Sequence, residues 1–295
     1  MTGLVLAGLA LALGTGESPE GALRLETSTA LQRSADTVWP APADAEADLS
    51  RAYDDGCHLS LIATQFGDCV YGDPASATTV VLFGDSHALQ YFPALESIAR
   101  AHGWRLVHLS KGGCPPAPGR LHPPTALRMN DSCRVWRRSA VRRIARERPT
   151  LVVTTGSTGG RIWRDGHRLS RTATDAIAAR GYVQTLRQLV KIAPHVVAIR
   201  DSPRTPLDVP PCVAAHMHDL RACAFPRATR ADVITNAQRS VAGVTVIDPI
   251  KMLCPQRLCP AVIGNVLVWR RMAHITATYS GTMSRWLERR LPALP

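Results

Sequence analysis

The stretch VVLFGDSHALQYFP, Val80 to Pro93, decides the reading of the fold. An unbroken β-favouring run, Val80 to Phe83, ends at Gly84-Asp85-Ser86-His87 and passes straight into an amphipathic helical pattern. Strand, tight turn and helix in this order predict the first βα unit of a parallel sheet. Ligands of such sheets bind outside the carboxyl ends of the strands. The turn therefore carries the Ser86 hydroxyl to the rim, with the following amides aimed at any charge that develops there. Ser86 is the candidate nucleophile. The competing reading is that Ser86 or Asp85 merely caps the helix, which both residue types do well.

The alternation continues along the chain. Short aliphatic runs at Thr79 to Phe83, Arg105 to Leu109, Leu151 to Thr155, Val196 to Arg200 and Val244 to Ile247 predict five strands. Helical patterns at Ala88 to His102, Arg134 to Glu147, Ala176 to Ile192 and, more weakly, Ala231 to Val241 separate them, and Ala277 to Leu291 predicts a closing helix. Right-handed βαβ units then give a three-layer α/β/α domain around a mostly parallel five-stranded sheet.

That domain is expected to span residues 57–295. Residues 14–56, rich in Ala, Pro, Glu, Asp and Thr, read as a linker or stalk with one short helix near Ala43 to Tyr53. Residues 1–13 hold the apolar run Leu4 to Leu13, shorter than the roughly 20 residues that span a bilayer. The run lacks the basic n-region and the clean cleavage site of a signal peptide. Two readings stay open: the end of a truncated membrane helix, or a weak signal sequence.

With 295 residues and a formal charge of +12, carried mostly by arginine, the surface favours anionic partners. Seven arginines between Arg134 and Arg148 predict one basic helix face, either a docking surface or simply a solvated one. Nucleic acid is the least favoured partner: aromatics for base stacking are sparse, and the cysteines point outside the cytoplasm. Eight cysteines fall into four neighbouring pairs, Cys57 and Cys69, Cys114 and Cys133, Cys212 and Cys223, Cys254 and Cys259. Each pair brackets a loop that a disulfide would staple. Many other connectivities are permitted, and only loop length favours the sequential one. The chain has no CxxC, so a zinc site is disfavoured and no metal or other cofactor is expected.

A serine nucleophile needs a base. His274, in VLVWRRMAHITATYS, lies in the loop between the last strand and the closing helix, and such a loop ends at the same rim as Ser86. His102, His108, His122, His167, His195, His216 and His218 fall on helices, in strands or in Arg/Pro-rich loops, where surface or structural roles suit them better.

FGDSHALQYFPALESIARAHGWRLVHLSKGGCPP resembles the opening of the SGNH (GDSL-like) domain found at the carboxyl end of bacterial acyltransferase-three membrane proteins. The resemblance extends through CVYGDP, IRDSPRTPLDVPPC, RACAFPR, DPIKMLCPQRLCP and AHITATYS, and covers Cys57 to Leu291. It implies a flavodoxin-like SGNH hydrolase fold, membrane-associated and extracytoplasmic. The implied activity is transfer or removal of an O-linked acyl group, acetyl foremost, on cell-envelope polysaccharide or glycolipid, with a membrane acyltransferase delivering the donor. Carried over residue by residue, the resemblance makes Ser86 the nucleophile and His274 the base. The oxyanion hole then uses the amides of Ser86 and of Gly112 or Gly113 in SKGGCPP.

Two positions depart from the pattern. The oxyanion-donating Asn that many SGNH enzymes carry after the third strand is absent from VVTTGSTGGR, as in much of the membrane-linked subgroup. The Asp expected three residues before the base histidine is Arg271. Loss of that Asp from a Ser-His-Asp triad lowers turnover about 10⁴-fold, and a cation beside the imidazole would weaken the base further. Three substitutes are open: a backbone carbonyl on His274 Nδ1, leaving a Ser-His dyad; a distant carboxylate, Asp248 or Asp165; or an outward Arg271 that binds an anionic acceptor. The alternative function is a degenerate SGNH module that binds anionic envelope glycan without catalysis.

Overall fold

The structure is a computed structural model that describes residues 33–117, 123, 126–227, 232–271 and 274–295. The apolar segment 1–13 and residues 14–32 of the predicted linker lie outside the described residues. Among those described, no helix is long and apolar enough to cross a membrane.

In chain order the elements that frame the site are β1 (His58–Leu59), β2 (Val70–Gly72), β3 (Thr79–Gly84), α1 (Ser86–Leu89), α2 (Phe92–Ala101) and β4 (Arg105–Lys111). Then come α3 (Leu127–Glu147), β5 (Leu151–Thr155), the hairpin β6 (Trp163–Arg164) and β7 (His167–Arg168), α4 (Arg171–Leu189), β8 (His195–Ile199) and α5 (Val209–Ala215). The chain continues with β9 (Phe225–Pro226), α6 (Val233–Arg239), β10 (Val244–Ile247), α7 (Ile250–Leu253), β11 (Leu258–Cys259), β12 (Val262–Ile263) and β13 (Val266–Leu267). It ends with α8 (Ala277–Thr282) and α9 (Ser284–Glu288).

The central sheet has seven strands, ordered β1-β4-β3-β5-β8-β10, with β2 also paired to β4. The five predicted strands form its parallel body, and only β2 runs antiparallel. β3 and β5 are buried at every residue, as expected of strands covered on both faces. Their side chains alternate between two cores. Val80, Leu82 and Val153 pack with α1, α2 and the closing helices; Val81, Phe83 and Val152 pack with Trp136, Ala140 and Ile144 of α3 and Leu186 and Leu189 of α4. Phe83 and Trp136 lie with ring centroids 5.5 Å apart, and truncating either would cost about 3–5 kcal/mol.

Two predicted helices are interrupted. Ala88 to His102 divides between α1 and α2, because Pro93 cannot continue the hydrogen bonding of α1 but sits well in the first turn of α2. Ala277 to Leu291 divides into α8 and α9 at Met283.

The predicted linker, in its described part, belongs to the domain. Val38, Ala45 and Ala52 are buried in the core, and Trp39 bridges Val266 beside β13. Asp48 caps α8, accepting from the Thr278 amide at 2.9 Å and the Thr278 hydroxyl at 3.2 Å. The Ala and Pro content that suggested a stalk instead reflects close packing and a 3₁₀ turn at Pro42–Asp44. The helix expected near Ala43 to Tyr53 is reduced to that turn.

All eight cysteines are paired sequentially, with Cα separations of 5.7 Å for Cys57–Cys69, 5.4 Å for Cys114–Cys133, 5.8 Å for Cys212–Cys223 and 4.1 Å for Cys254–Cys259. The basic face of α3 is only partly a surface. Arg143 pairs with Glu147, which also holds Arg105 at 2.6 Å, and Arg137 turns inward to donate to the Pro115 carbonyl.

Candidate active site

The turn after β3 separates the two roles that the sequence left competing. Asp85 is the helix cap: its Oδ1 accepts from the His87 amide at 2.9 Å and its Oδ2 from the Ser157 amide at 2.9 Å. Ser86 Oγ is thereby left free to face His274 Nε2, 2.9 Å away. Gly84 makes the turn sterically possible, since a Cβ there would fall 2.0 Å from the Thr155 carbonyl oxygen and 2.6 Å from Ala88 Cβ.

His274 is carried on a loop closed by the Trp269–Ile275 bridge and by the Arg270 amide donating to the His274 carbonyl at 2.9 Å. Its Nδ1 lies 3.1 Å from the carbonyl oxygen of Arg271. Nδ1–H donates there, so the Nε2 lone pair points at the serine. The Arg271 side chain, 67% exposed, turns away toward Glu46 at 3.9 Å.

Asp248 and Asp165, weighed as distant orienters, are not on the ring. Asp248 follows β10, paired with Arg200 at 2.9 Å and Arg239 at 3.5 Å and accepting from the Ile250 amide at the start of α7. Asp165 is exposed at the tip of the β6–β7 hairpin.

Burial pushes the His274 imidazole down to about 3, with further lowering by the charges of His87 and Arg270. The cations beside the base are therefore His87 and Arg270, where the sequence pointed to Arg271.

His87 is the functional neighbour that sequence reasoning passed over. Its ring centroid is 4.6 Å from that of His274, and its Nδ1 is 2.6 Å from Asp201 Oδ1. Asp201 Oδ2 accepts from the Thr158 amide at 2.7 Å and the Thr158 hydroxyl at 2.9 Å. Burial opposes charging of both partners, but each stabilises the other: His87 is raised and Asp201 lowered. The pair, in which each partner favours the charged form of the other, lies behind Ser86 and His274. The signal was present in sequence, because Asp201 follows β8 at the same rim as Ser86.

Gln90 ties these parts together. Its Oε1 accepts from the Ile275 amide at 3.1 Å and its Nε2 donates to Ser202 Oγ at 3.3 Å. One side chain just past α1 thus fixes the base loop and the Asp201 loop relative to the serine turn.

Of the two glycines after β4, Gly112 donates its amide to the Leu59 carbonyl at 2.9 Å, extending the β1–β4 ladder. It is not available to an oxyanion. Gly113, at φ +64°, turns the chain away from the ladder, and its amide has no protein partner among the described residues; nor has that of Ser86. The Cys114–Cys133 disulfide anchors this turn to α3.

A second histidine chain borders the same turn. Ser110 Oγ lies 2.7 Å from both His58 Nδ1 and His108 Nε2, while His108 Nδ1 is buried without a partner. An orphaned lone pair costs less than an orphaned N–H, so His108 donates through Nε2 and Ser110 passes its own proton toward His58. His58 therefore carries its proton on Nε2, which faces Gly112 at 3.6 Å from where a Cβ would stand. Burial keeps both rings neutral, lowering His58 to about 4 and His108 to about 3.

Among the described residues one cluster has metal-ligand character by residue type, Cys212, His216 and Cys223, but its two sulfurs are joined in a disulfide and offer no thiolate.

The model of the SGNH domain (fused to AT3 domains) matches this chain over residues 52–289. Among solved structures, the periplasmic domain of a lipopolysaccharide acetyltransferase from Salmonella ser. Paratyphi A is similar, with a TM-score of 0.53 and 16% sequence identity. The likeness covers 81% of this chain and 87% of that one. No curated protein matches the chain. The mostly parallel sheet with the serine at the end of β3 agrees with the flavodoxin-like SGNH fold expected from the sequence. With the family model spanning most of its length, the chain belongs to the SGNH domains of the kind fused to AT3 domains.

Proposed function

We propose that the protein is an extracytoplasmic O-acyltransferase or esterase that works through a serine acyl-enzyme on a cell-envelope glycan or glycolipid. The observation that carries this reading is the 2.9 Å contact between Ser86 Oγ and His274 Nε2, with Nδ1 of the same ring held by a carbonyl. His274 takes the Ser86 proton as Oγ bonds to the acyl carbon, and the free amides of Ser86 and Gly113 receive the oxyanion. The proton then passes from His274 to the leaving oxygen as its bond to the acyl carbon breaks. In the second half a sugar hydroxyl, or water, gives its proton to His274 and attacks the acyl carbon; as the bond from Ser86 Oγ to that carbon breaks, His274 returns the proton to Oγ and both residues regain their starting state. Membership of a family fused to AT3 domains supports a membrane acyltransferase as the source of the acyl group, with this domain outside the cytoplasm. The four disulfides suit that compartment.

That no carboxylate among the described residues bonds His274 favours one other reading, a non-catalytic module that binds glycan. Hydrolysis of p-nitrophenyl acetate by the wild type, Ser86→Ala and His274→Ala separates the two. The acyl-enzyme reading expects release well above background in the wild type alone; equal rates in all three proteins contradict it.

A further inference from the structure

Beyond the Asp201 wall of the active site lies a cleft of ≈ 290 Å³ lined by residues of the loops after β5, β8 and β9. Its charges are not balanced. Asp175 pairs with Arg171 at 3.6 Å, Asp232 with Arg200 at 2.6 Å, and Asp201 with His87. Arg204 and Arg227 line the same cleft and make no ion pair among the described residues. Arg204 is exposed, and its guanidinium lies against the Gly159 backbone, where a Cβ would fall 2.0 Å from its Nη1. Its charge also acts on His87, which places it close to the His87–Asp201 pair. Val233, 44% exposed, adds an apolar wall.

Two guanidiniums without an ion pair among the described residues line this concave site, and each can grip a carboxylate or phosphate bidentately. Sharing Asp201 with the dyad's surroundings puts the bound group beside the reacting centre. We infer that this cleft seats an anionic substituent of the acceptor glycan, a uronate carboxylate or a sugar phosphate, through Arg204 and Arg227. The inference rests on the proposal that the acceptor is an envelope glycan; it does not need the serine to be active.

The test is binding, measured by calorimetry on the full chain carrying Ser86→Ala, so that no acyl transfer can intervene. A glucuronate-containing tetrasaccharide is the probe, maltotetraose the neutral control and inorganic phosphate the competitor. Adding Arg204→Gln with Arg227→Gln is expected to weaken the acidic probe about tenfold or more. Arg285→Gln with Arg289→Gln, which removes the same charge from exposed positions on and just after α9, is expected to change it by less than about twofold. Arg204→Lys with Arg227→Lys, keeping charge but losing the fork, should fall between. Displacement of the tetrasaccharide by phosphate marks a seat open to both anions; failure to displace assigns it to the carboxylate. Equal weakening by both Gln pairs, or tight binding of maltotetraose, would overturn the inference. An inert wild type toward p-nitrophenyl acetate would count against the acyl-enzyme reading alone.

Discussion

His274 Nδ1 is bonded not to the side chain of residue 271, where the family pattern expects Asp, but to the backbone oxygen of Arg271, 3.1 Å away. The carbonyl fixes the tautomer as an Asp would, but brings no full negative charge to stabilise the imidazolium. Side-chain identity at this position should matter little, because the guanidinium points outward to Glu46. Arg271→Ala is expected to alter kcat/KM for p-nitrophenyl acetate by less than about twofold and to leave the melting temperature nearly unchanged. Steady-state kinetics checks this, and a large loss would mean that the side chain serves the base.

The pH profile follows from the surroundings of His274. Its imidazole is pushed down to about 3, first by burial and then by the neighbouring His87 and Arg270 cations. A base is competent only when unprotonated, so kcat/KM should rise on the acid side near that value and be flat across the neutral range. His87→Gln removes one of the two cations, and the acid limb should move to higher pH. A limb that stays in place would show that His87 does not act on the base.

The His87–Asp201 couple also has a stability signature. Asp201 is lowered, so its contribution is present above the ordinary carboxylate range and is lost as pH falls through its folded value. His87 is raised, so its contribution is complete below the ordinary histidine range and is lost as pH rises through its folded value. The couple therefore stabilises most in the mildly acidic window between. Asp201→Ala removes the partner that offsets burial of the charged His87 ring, so His87 goes neutral and the loss of stability in urea unfolding should be largest in that window. A cost independent of pH would contradict the charged pair.

Gln90 offers a test of positioning. Gln90→Ala cuts the bonds to Ile275 and Ser202 without touching Ser86 or His274. A displacement of about 1 Å at the base loop suffices for a loss of about a hundredfold in rate, so kcat should fall while KM for the small ester holds. Gln90→Glu keeps the acceptor for the Ile275 amide and should restore part of the loss. Equal losses in both variants would point to misfolding instead.

How much of this was legible in the sequence depends on the range of the interaction. The strands of the sheet body and the sequential disulfides could be read locally, because β-branched runs and loop lengths are local signals. Ser86 and His274 could be paired because the topology sends both to one rim. The Arg271 carbonyl was open only as one of three substitutes, since a backbone acceptor leaves no trace in residue type. Choosing Gly113 over Gly112 required knowing that β1 adds to the β4 edge and takes the Gly112 amide. His87 was hidden by its own neighbour: beside a nucleophile it reads as part of the turn, and its partner Asp201 is 114 residues away.

The central claim is that Ser86 carries the acyl group. The most direct measurement is intact-protein and peptide mass spectrometry of wild type, Ser86→Ala and His274→Ala after brief acid quench from p-nitrophenyl acetate. The account predicts one added acetyl on the peptide bearing Ser86 in the wild type, absent from Ser86→Ala and strongly reduced in His274→Ala. Turnover with no acetyl on that peptide, or equal labelling of all three proteins, would contradict it.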